Sequence, residues 1–434
     1  MLNFKNIKHF AIILTWTILV SWFLYRFIIS AIGAEFNLAW LYGENYDQSS
    51  GEIVIVKVDN KTLDALQSTD LRVLSFTKTK FAELLNKLEW YKAKAIGVDI
   101  VFANKSSDAN VLAEVLRNNK NIVIWAKIGT IWGEQTLPLE EFSGVTWGSV
   151  DTGVSSNILS RLPPYVSYGS GVVESLSMAT YRKYIWDEKS KKGDIHDGRY
   201  FVTPLRSVPV DANGNMLIRF FNAPEAYPSV SMIDILKATE KEAPEMEKMF
   251  KDKIVLIGEY GTLIHDSHFS PVDSRVKMPG VEFHANMIDG LLQWKTLTSQ
   301  TASSVWITAV ILAIFLIAIF YSVGTGSAVV VLVALILALI ILWRRLVIGY
   351  DEGIVINLFF YIIIAFVSFI GTYVYKFLIV DRNKRYIEGA FGRYISPDVV
   401  REISQNTQAL KLWGTNRRIA VFFSDIANFT TVSE

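Results

Sequence analysis

The chain has 434 residues, 51% of them hydrophobic, and its 43 Lys and Arg nearly balance 42 Asp and Glu. A net charge of +1 gives no basis for nucleic acid as a partner, and the absence of cysteine excludes disulfides and thiolate metal sites. A mean hydropathy of +0.29 is high for a soluble protein and low for a pure membrane bundle, so a mixed architecture of two or more domains is expected.

Residues 1–9 carry Lys5 and Lys8 and read as a cytoplasmic N-terminus. The run 10–32 that follows is apolar except for Arg26 and is long enough to cross a bilayer as an uncleaved anchor. A signal peptide cut near Ser30-Ala-Ile-Gly-Ala34 is the alternative, with Ile32 large for the −3 position.

Residues 34–300 alternate strand and helix patterns. Strands are expected at 52–58, 95–102, 122–126, 216–221 and 253–258. Helices are expected at 77–92, 108–118, 172–184 and 281–292, and the charged stretch 186–198 reads as a loop. Such alternation implies a mainly parallel sheet covered by helices, an α/β fold. In sheets of this kind ligands sit beyond the carboxyl ends of the strands. Asp59, Asp99 and the loop holding His265 and His268 follow or end predicted strands, so these four residues form a candidate sensor pocket. Asp99 can equally be a buried carboxylate accepting local N–H bonds. His265-x-x-His268 with Asp266, Asp273 and His284 invites a metal reading. The spacing is loose, and polar loop residues bonding backbone are the preferred account. Gly258-x-x-Gly261 and Gly169-Ser-Gly171 are too short for nucleotide loops, and no Gly-x-x-x-x-Gly-Lys-Ser/Thr occurs.

Three further apolar runs, 305–323, 327–343 and 354–375, are expected to be transmembrane helices, the first two joined by Gly324-Thr-Gly326. Trp40, Trp294, Trp306 and Trp343 lie near the expected boundaries and fit interfacial anchoring. Four spans put both termini on one side. Lys5, Lys8, Lys376, Arg382, Lys384 and Arg385 make that side cytoplasmic, leaving 34–300 outside the cell membrane. Arg344 and Arg345 fall on the outer side, against the trend.

The segment 381–416 reads as a cytoplasmic linker. Ser396-Pro-Asp398 is a good helix start, and Phe391, Tyr394 and Ile395 suit contact with a partner helix or domain. In the last stretch, 417–434, an apolar run at 419–423 reads as a buried strand, followed by Asp425 and a turn into a helix at Asn428-Phe-Thr-Thr.

Two resemblances follow from these motifs. Ala95-Ile-Gly-Val-Asp-Ile-Val-Phe102, Asn215-Met-Leu-Ile-Arg-Phe-Phe221, Ser231-Met-Ile-Asp-Ile-Leu236, Lys251-Asp-Lys-Ile-Val-Leu-Ile-Gly258, His265-Asp-Ser-His-Phe-Ser-Pro271 and Met278-Pro-Gly-Val-Glu-Phe-His-Ala-Asn286, in this order, resemble the CHASE2 extracellular sensor domain. Phe391-Gly-Arg-Tyr-Ile-Ser-Pro-Asp-Val-Val-Arg-Glu-Ile403 resembles the linker before many bacterial cyclase domains. Ser424-Asp-Ile-x-x-Phe-Thr430 resembles the first metal-binding turn of class III adenylate and guanylate cyclases, with Asn428 where members usually carry Gly. The resemblance implies the start of a ferredoxin-like α+β cyclase domain. It implies that Asp425 ligates two Mg²⁺ or Mn²⁺ ions, that Ile426 offers its carbonyl, and that the Phe429 and Thr430 amides bind nucleotide phosphates. It further implies a homodimer in the bilayer that converts ATP to cyclic AMP under control of an extracytoplasmic signal, with GTP the second choice of substrate. The chain stops inside the motif and is itself expected to be inactive. The alternative is a CHASE2 receptor whose output is binding or assembly.

Overall fold

The computed structural model describes residues 4–26, 48–66, 78–102, 106–128, 136–152, 158–169, 171–185, 195–196, 199–203, 206–260, 266–273, 275–348 and 351–380, with isolated positions from 418 onward. The chain divides into two compact units, 1–368 and 369–434.

The first unit is organised by six parallel strands: β1 Ile53–Val58, β2 Ala95–Asp99, β3 Ile122–Ala126, β4 Trp147–Ser149, β5 Ser229–Ser231 and β6 Ile254–Glu259. Their order is β5-β1-β6-β2-β3-β4. β1, β3 and β6 are rich in Ile and Val because both faces of the sheet are covered, so the buried side chains are apolar and β-branching suits the pleat, with Lys57 and Glu259 only near the carboxyl ends. Alternate residues serve alternate faces. Val54, Val56, Ile96, Val98, Val255 and Ile257 pack toward the helices Lys78–Trp90, Ala109–Asn118, Met232–Lys237 and Ala243–Phe250. Ile53, Ile55, Ile254 and Leu256 face the helices Leu176–Ile185 and Gly280–Gln293.

Two glycines of the family-marking motifs bring that second layer close. A Cβ on Gly97 would lie 2.6 Å from Thr180 Oγ1 and 2.8 Å from Leu256 Cδ2. On Gly258 it would lie 2.4 Å from Val281 Cβ. Only a bare backbone admits Leu176–Ile185 and Gly280–Gln293 at this spacing.

The expected mainly parallel sheet with helices is thus present, and most elements lie within a few residues of their predicted bounds. Three departures have local causes. The predicted strand 95–102 ends at Asp99. The predicted helix 172–184 opens as a strand, Gly171–Glu174, paired with Tyr165–Tyr168, and the helix starts at Leu176. The predicted strand 216–221 pairs only at Met216–Leu217; beyond it Phe221 N–H donates to Asn286 Oδ1 instead of to a strand. Of the predicted loop 186–198, Ile195–His196 is a short strand against Arg199–Thr203, and the rest lies outside the described residues.

Among the described residues four helices are long and apolar enough to cross a membrane: Ile7–Leu24, Ala302–Ser322, Thr325–Leu346 and Leu358–Leu378. The first begins before the expected 10–32. The last begins later than the expected 354, because Glu352–Val355 is a strand that pairs in parallel with Thr296–Ser299. Hydropathy alone does not separate a buried strand from the start of a span. Thr296–Ser299 pairs in turn with Met216–Leu217, so the segment before the last helix is an edge strand of a four-stranded sheet. Trp343 is 1% exposed and belongs to the same buried cluster as Leu297, Val355 and Leu358, so it fills core.

In the second unit the last long helix runs to Tyr375 and a wider turn follows at Lys376–Val380. The buried strand expected over 419–423 is not seen among the described residues. Positions 420–424 are in no strand, and Phe422 and Phe423 are 88% and 90% exposed. An apolar strand forms only against neighbours that pair with it, and no described strand lies beside this one. The linker 381–416 and Asp425, Ile426, Phe429 and Thr430 lie outside the described residues.

Candidate functional site

The carboxyl edge of the parallel sheet carries a concentration of acidic side chains. Asp59 follows β1 and caps the helix Asn60–Ala65: its carboxylate accepts from Thr62 N–H at 3.0 Å and Thr62 Oγ1 at 2.9 Å. Ser231 Oγ, from the end of β5, donates to it at 2.8 Å. This carboxylate is occupied in joining β1, β5 and the following helix, which is a structural duty.

Asp99 is different. It is the last residue of β2 and is 8% exposed. Strand register sets it opposite Gly258 on β6, next to Glu259. Among the described residues it has no hydrogen-bond donor; its electrostatic neighbours are Asp266 and Glu259, both acidic. Burial first, then these two charges, hold its carboxyl well above the usual range.

Asp266 is bound to the start of the helix Gly280–Gln293. Gly280 N–H donates to its carbonyl at 3.0 Å. A Cβ on Gly280 would fall 2.0 Å from Asp266 Oδ2, so the carboxylate fills the room that glycine leaves. His268 Nε2 lies 3.5 Å from Asp266 Oδ1. His284, 5% exposed, bonds Ser177 Oγ through Nδ1 at 2.6 Å. Burial lowers it to about 4, with Asp266 opposing, so the ring is neutral at neutral pH.

The structure therefore brings Asp99 and His268 to one region through Asp266, and leaves Asp59 on the far side of β6 with its own partners. His265 lies outside the described residues. Among the described residues, which do not include His265, no group of three or more His, Asp or Glu is placed to hold a metal ion. Asp266 entered the sequence reading only as a metal candidate, and Glu259 was missed. The signal for Glu259 was its position one residue past the apolar run of β6.

A second polar constellation was also missed. Glu282, Asn286 and Asp289 are fully buried on one face of Gly280–Gln293. Glu282 accepts Glu225 N–H through both oxygens, at 2.9 and 3.0 Å, and the Tyr260 hydroxyl. Asn286 Oδ1 accepts Phe221 N–H at 2.8 Å. Asp289 accepts Ser50 N–H at 2.8 Å and Tyr227 hydroxyl at 3.1 Å. Three acceptors at helical spacing hold three irregular backbone segments without a strand, satisfying buried N–H groups that would otherwise be orphaned. Their i, i+4, i+7 spacing on an otherwise apolar helix was the available signal.

The sensor sheet is also joined to the apolar helices. Besides the pairing of Thr296–Ser299 with Glu352–Val355, Gln300 Oε1 accepts Asn357 N–H at 3.2 Å and Tyr361 hydroxyl at 2.9 Å. Arg199 forms a two-pronged pair with Glu352, at 2.7 and 3.2 Å.

A family model described as the CHASE2 domain matches residues 14–324. No curated protein and no solved structure matches the chain. The family match covers well over half of the sequence and takes in the whole parallel sheet, part of the first apolar helix and all of the second, so this protein belongs to the CHASE2 domain family, a family of extracellular sensors.

Proposed function

We propose that this protein is a membrane-bound receptor of the adenylate cyclase type, in which an extracytoplasmic CHASE2 sensor controls formation of cyclic AMP from ATP. The observation that carries the reading is the order of parts: a CHASE2 domain, three apolar helices, then Ser424-Asp-Ile-x-x-Phe-Thr430. By resemblance, Asp425 and the Ile426 carbonyl would hold two Mg²⁺ or Mn²⁺ ions, while the Phe429 and Thr430 amides would hold nucleotide phosphates. Such ions activate the ribose hydroxyl and offset phosphate charge. Class III sites form between two such domains, so the reading includes a homodimer, with 381–416 as the coupling segment.

Pairing of Glu352–Val355 with Thr296–Ser299 supports one part of the proposed topology, the placement of the loop before the last span on the sensor's side. Strands share a ladder only on one side of a bilayer, so the loop before the last span belongs with the sensor. Arg344 and Arg345 then fall on the sensor side because tertiary pairing outweighs a local charge preference. The test is cyclic AMP formation in membranes carrying the protein at its native full length, supplied with ATP and Mg²⁺. Asp425→Asn is expected to abolish it and to leave dimerisation unchanged. Unaltered activity would sink the cyclase reading and favour a receptor with a binding or assembly output; turnover of GTP in place of ATP would reassign the substrate.

A further inference from the structure

Glu282 is fully buried in the first turn of Gly280–Gln293, and one short loop, 222–227, closes over it. The loop leads into β5 and is in no strand or helix; Glu225 and Ala226 on it are exposed. Side chains of Gly280–Gln293 hold it down. Glu225 N–H donates to both Glu282 oxygens, at 2.9 and 3.0 Å, and the Tyr227 hydroxyl donates to Asp289 at 3.1 Å. Glu225 has a φ of 64°, a left-handed backbone that a residue with a side chain keeps only when its surroundings fix it. The bond to Glu282 is what fixes it. Other groups face the same acid. Tyr260, just past β6, donates its hydroxyl to it, and Lys57 of β1 stands over the Tyr260 ring at 4.5 Å. The loop adds the charge of Glu225, and Tyr227 with Asp289 completes the cluster. Burial outweighs these partners and lifts the Glu282 carboxyl from 4.5 to about 7. The neutral acid can keep its contacts, its carbonyl accepting Glu225 N–H and its hydroxyl donating to the Tyr260 oxygen. The ionised acid stays buried only by forgoing hydration, which an open loop restores.

We propose that loop 222–227 is a lid over Glu282 and that protons are a signal the sensor reads: the lid is shut while Glu282 carries its proton and opens as Glu282 ionises into water. The sign follows from linkage. In the shut state the carboxyl titrates at about 7, and in water near its ordinary 4.5. Between these values each opening releases one proton, so rising pH favours opening; above about 7 both states are ionised and the bias is constant. Opening frees the first turn of Gly280–Gln293 from the segment entering β5. That helix leads through Thr296–Ser299 into Ala302–Ser322, which gives the lid a path to the membrane.

This inference rests on reading the chain as a receptor, and its test follows the lid itself rather than cyclic AMP, so either can fail alone. Hydrogen exchange of the Glu225 amide is measured in the intact protein in nanodiscs from pH 4.5 to about 8. The same amide in Glu282→Gln, at each pH, cancels the effect of pH on the exchange chemistry. Glutamine can accept from Glu225 and donate to Tyr260, and it has no proton to lose. Relative to this variant, the parent should exchange faster by about ten-fold per pH unit up to about 7 and then level off. Amides of β3 should hold a constant ratio throughout. Tyr260→Phe removes a bond that favours the carboxylate, so its levelling-off should move to higher pH, a shift that needs no folded glutamine variant. A parent-to-glutamine ratio that does not change with pH overturns the proposal. So does an unmoved levelling-off in Tyr260→Phe, or loss of protection at Glu225 and β3 together, which is unfolding of the whole domain.

Discussion

Glu282 shows how one buried side chain can set the pH response of the whole domain. Burial lifts it from 4.5 to about 7, against the bonds from Tyr260 and Glu225 and the charge of Lys57, which favour the carboxylate. Its folded value exceeds its unfolded one. The stability it adds is therefore complete below pH 4.5 and is lost as pH rises through about 7. His284, lowered from 6.5 to about 4, works the other way: its stability is complete above 6.5 and is lost as pH falls through about 4. Between these values the two oppose each other. Above pH 6.5 the decline from Glu282 remains, and Asp99, also raised, has the same sense. Melting temperature should therefore fall between pH 6.5 and about 8, and Glu282→Gln should flatten the fall. A slope unchanged by the substitution would assign the window to other groups. Gly258 gives a sharper test of packing. Its added Cβ would meet Val281 Cβ, which sits on the helix backbone and cannot swing aside. Gly258→Ala should cost about 1–3 kcal/mol or more in chemical denaturation; a neutral result would mean that Gly280–Gln293 can retreat from the sheet.

Among the elements, those dictated by a single period were legible and those dictated by a partner were not. Ile122–Ala126 falls where the sequence puts it, because an all-apolar β-branched run has no other good home. Gly280–Gln293 was legible as a helix, yet its buried Glu282, Asn286 and Asp289 were not legible as a ladder, because their partners lie in segments of no regular structure. Of the candidate pocket, position along the strands was readable for Asp59 and Asp99. Which of them was already satisfied was not, since Thr62 and Ser231 had to be seen around Asp59. Glu352–Val355 is the clearest case: read alone it extends a span, and only Thr296–Ser299 makes it a strand. The absence of cysteine makes that pairing easy to test. Leu297 and Gly353 are register partners, so Leu297→Cys with Gly353→Cys should form a disulfide under mild oxidation in membranes. Failure to cross-link, with both single cysteines reactive, would mean that this edge strand is not held.

For the whole molecule, sidedness decides whether the sensor can hear the outside and still drive a cytoplasmic output. Charge near the first span favours an inner N-terminus, whereas Arg344 and Arg345 pull the other way. The strand pairing ties the segment after Arg345 to Thr296–Ser299, so Arg344 and Arg345 lie on the sensor's side whichever side that is, and the two charge signals predict opposite placements of the sensor. The turn between the second and third spans must then lie opposite. Gly324 is a suitable reporter there, since a side chain added to it meets nothing within 4 Å. Single cysteines at Gly193, Glu352 and Gly324 can be challenged with a membrane-impermeant thiol reagent in intact spheroplasts. Gly193→Cys and Glu352→Cys should react at once, and Gly324→Cys only after the membrane is opened. The reverse pattern would put the sensor in the cytoplasm. Reaction of Glu352→Cys and Gly324→Cys on the same side would show that one of the helices between them does not span. If the expected pattern holds, a ligand-driven shift in the sensor sheet reaches the last span by two routes, through Ala302–Ser322 and through the strand that precedes Leu358–Tyr375. Inserting one or two residues near Lys384, beyond both routes, should then change the response of the full-length protein while leaving the Leu297–Gly353 cross-link intact.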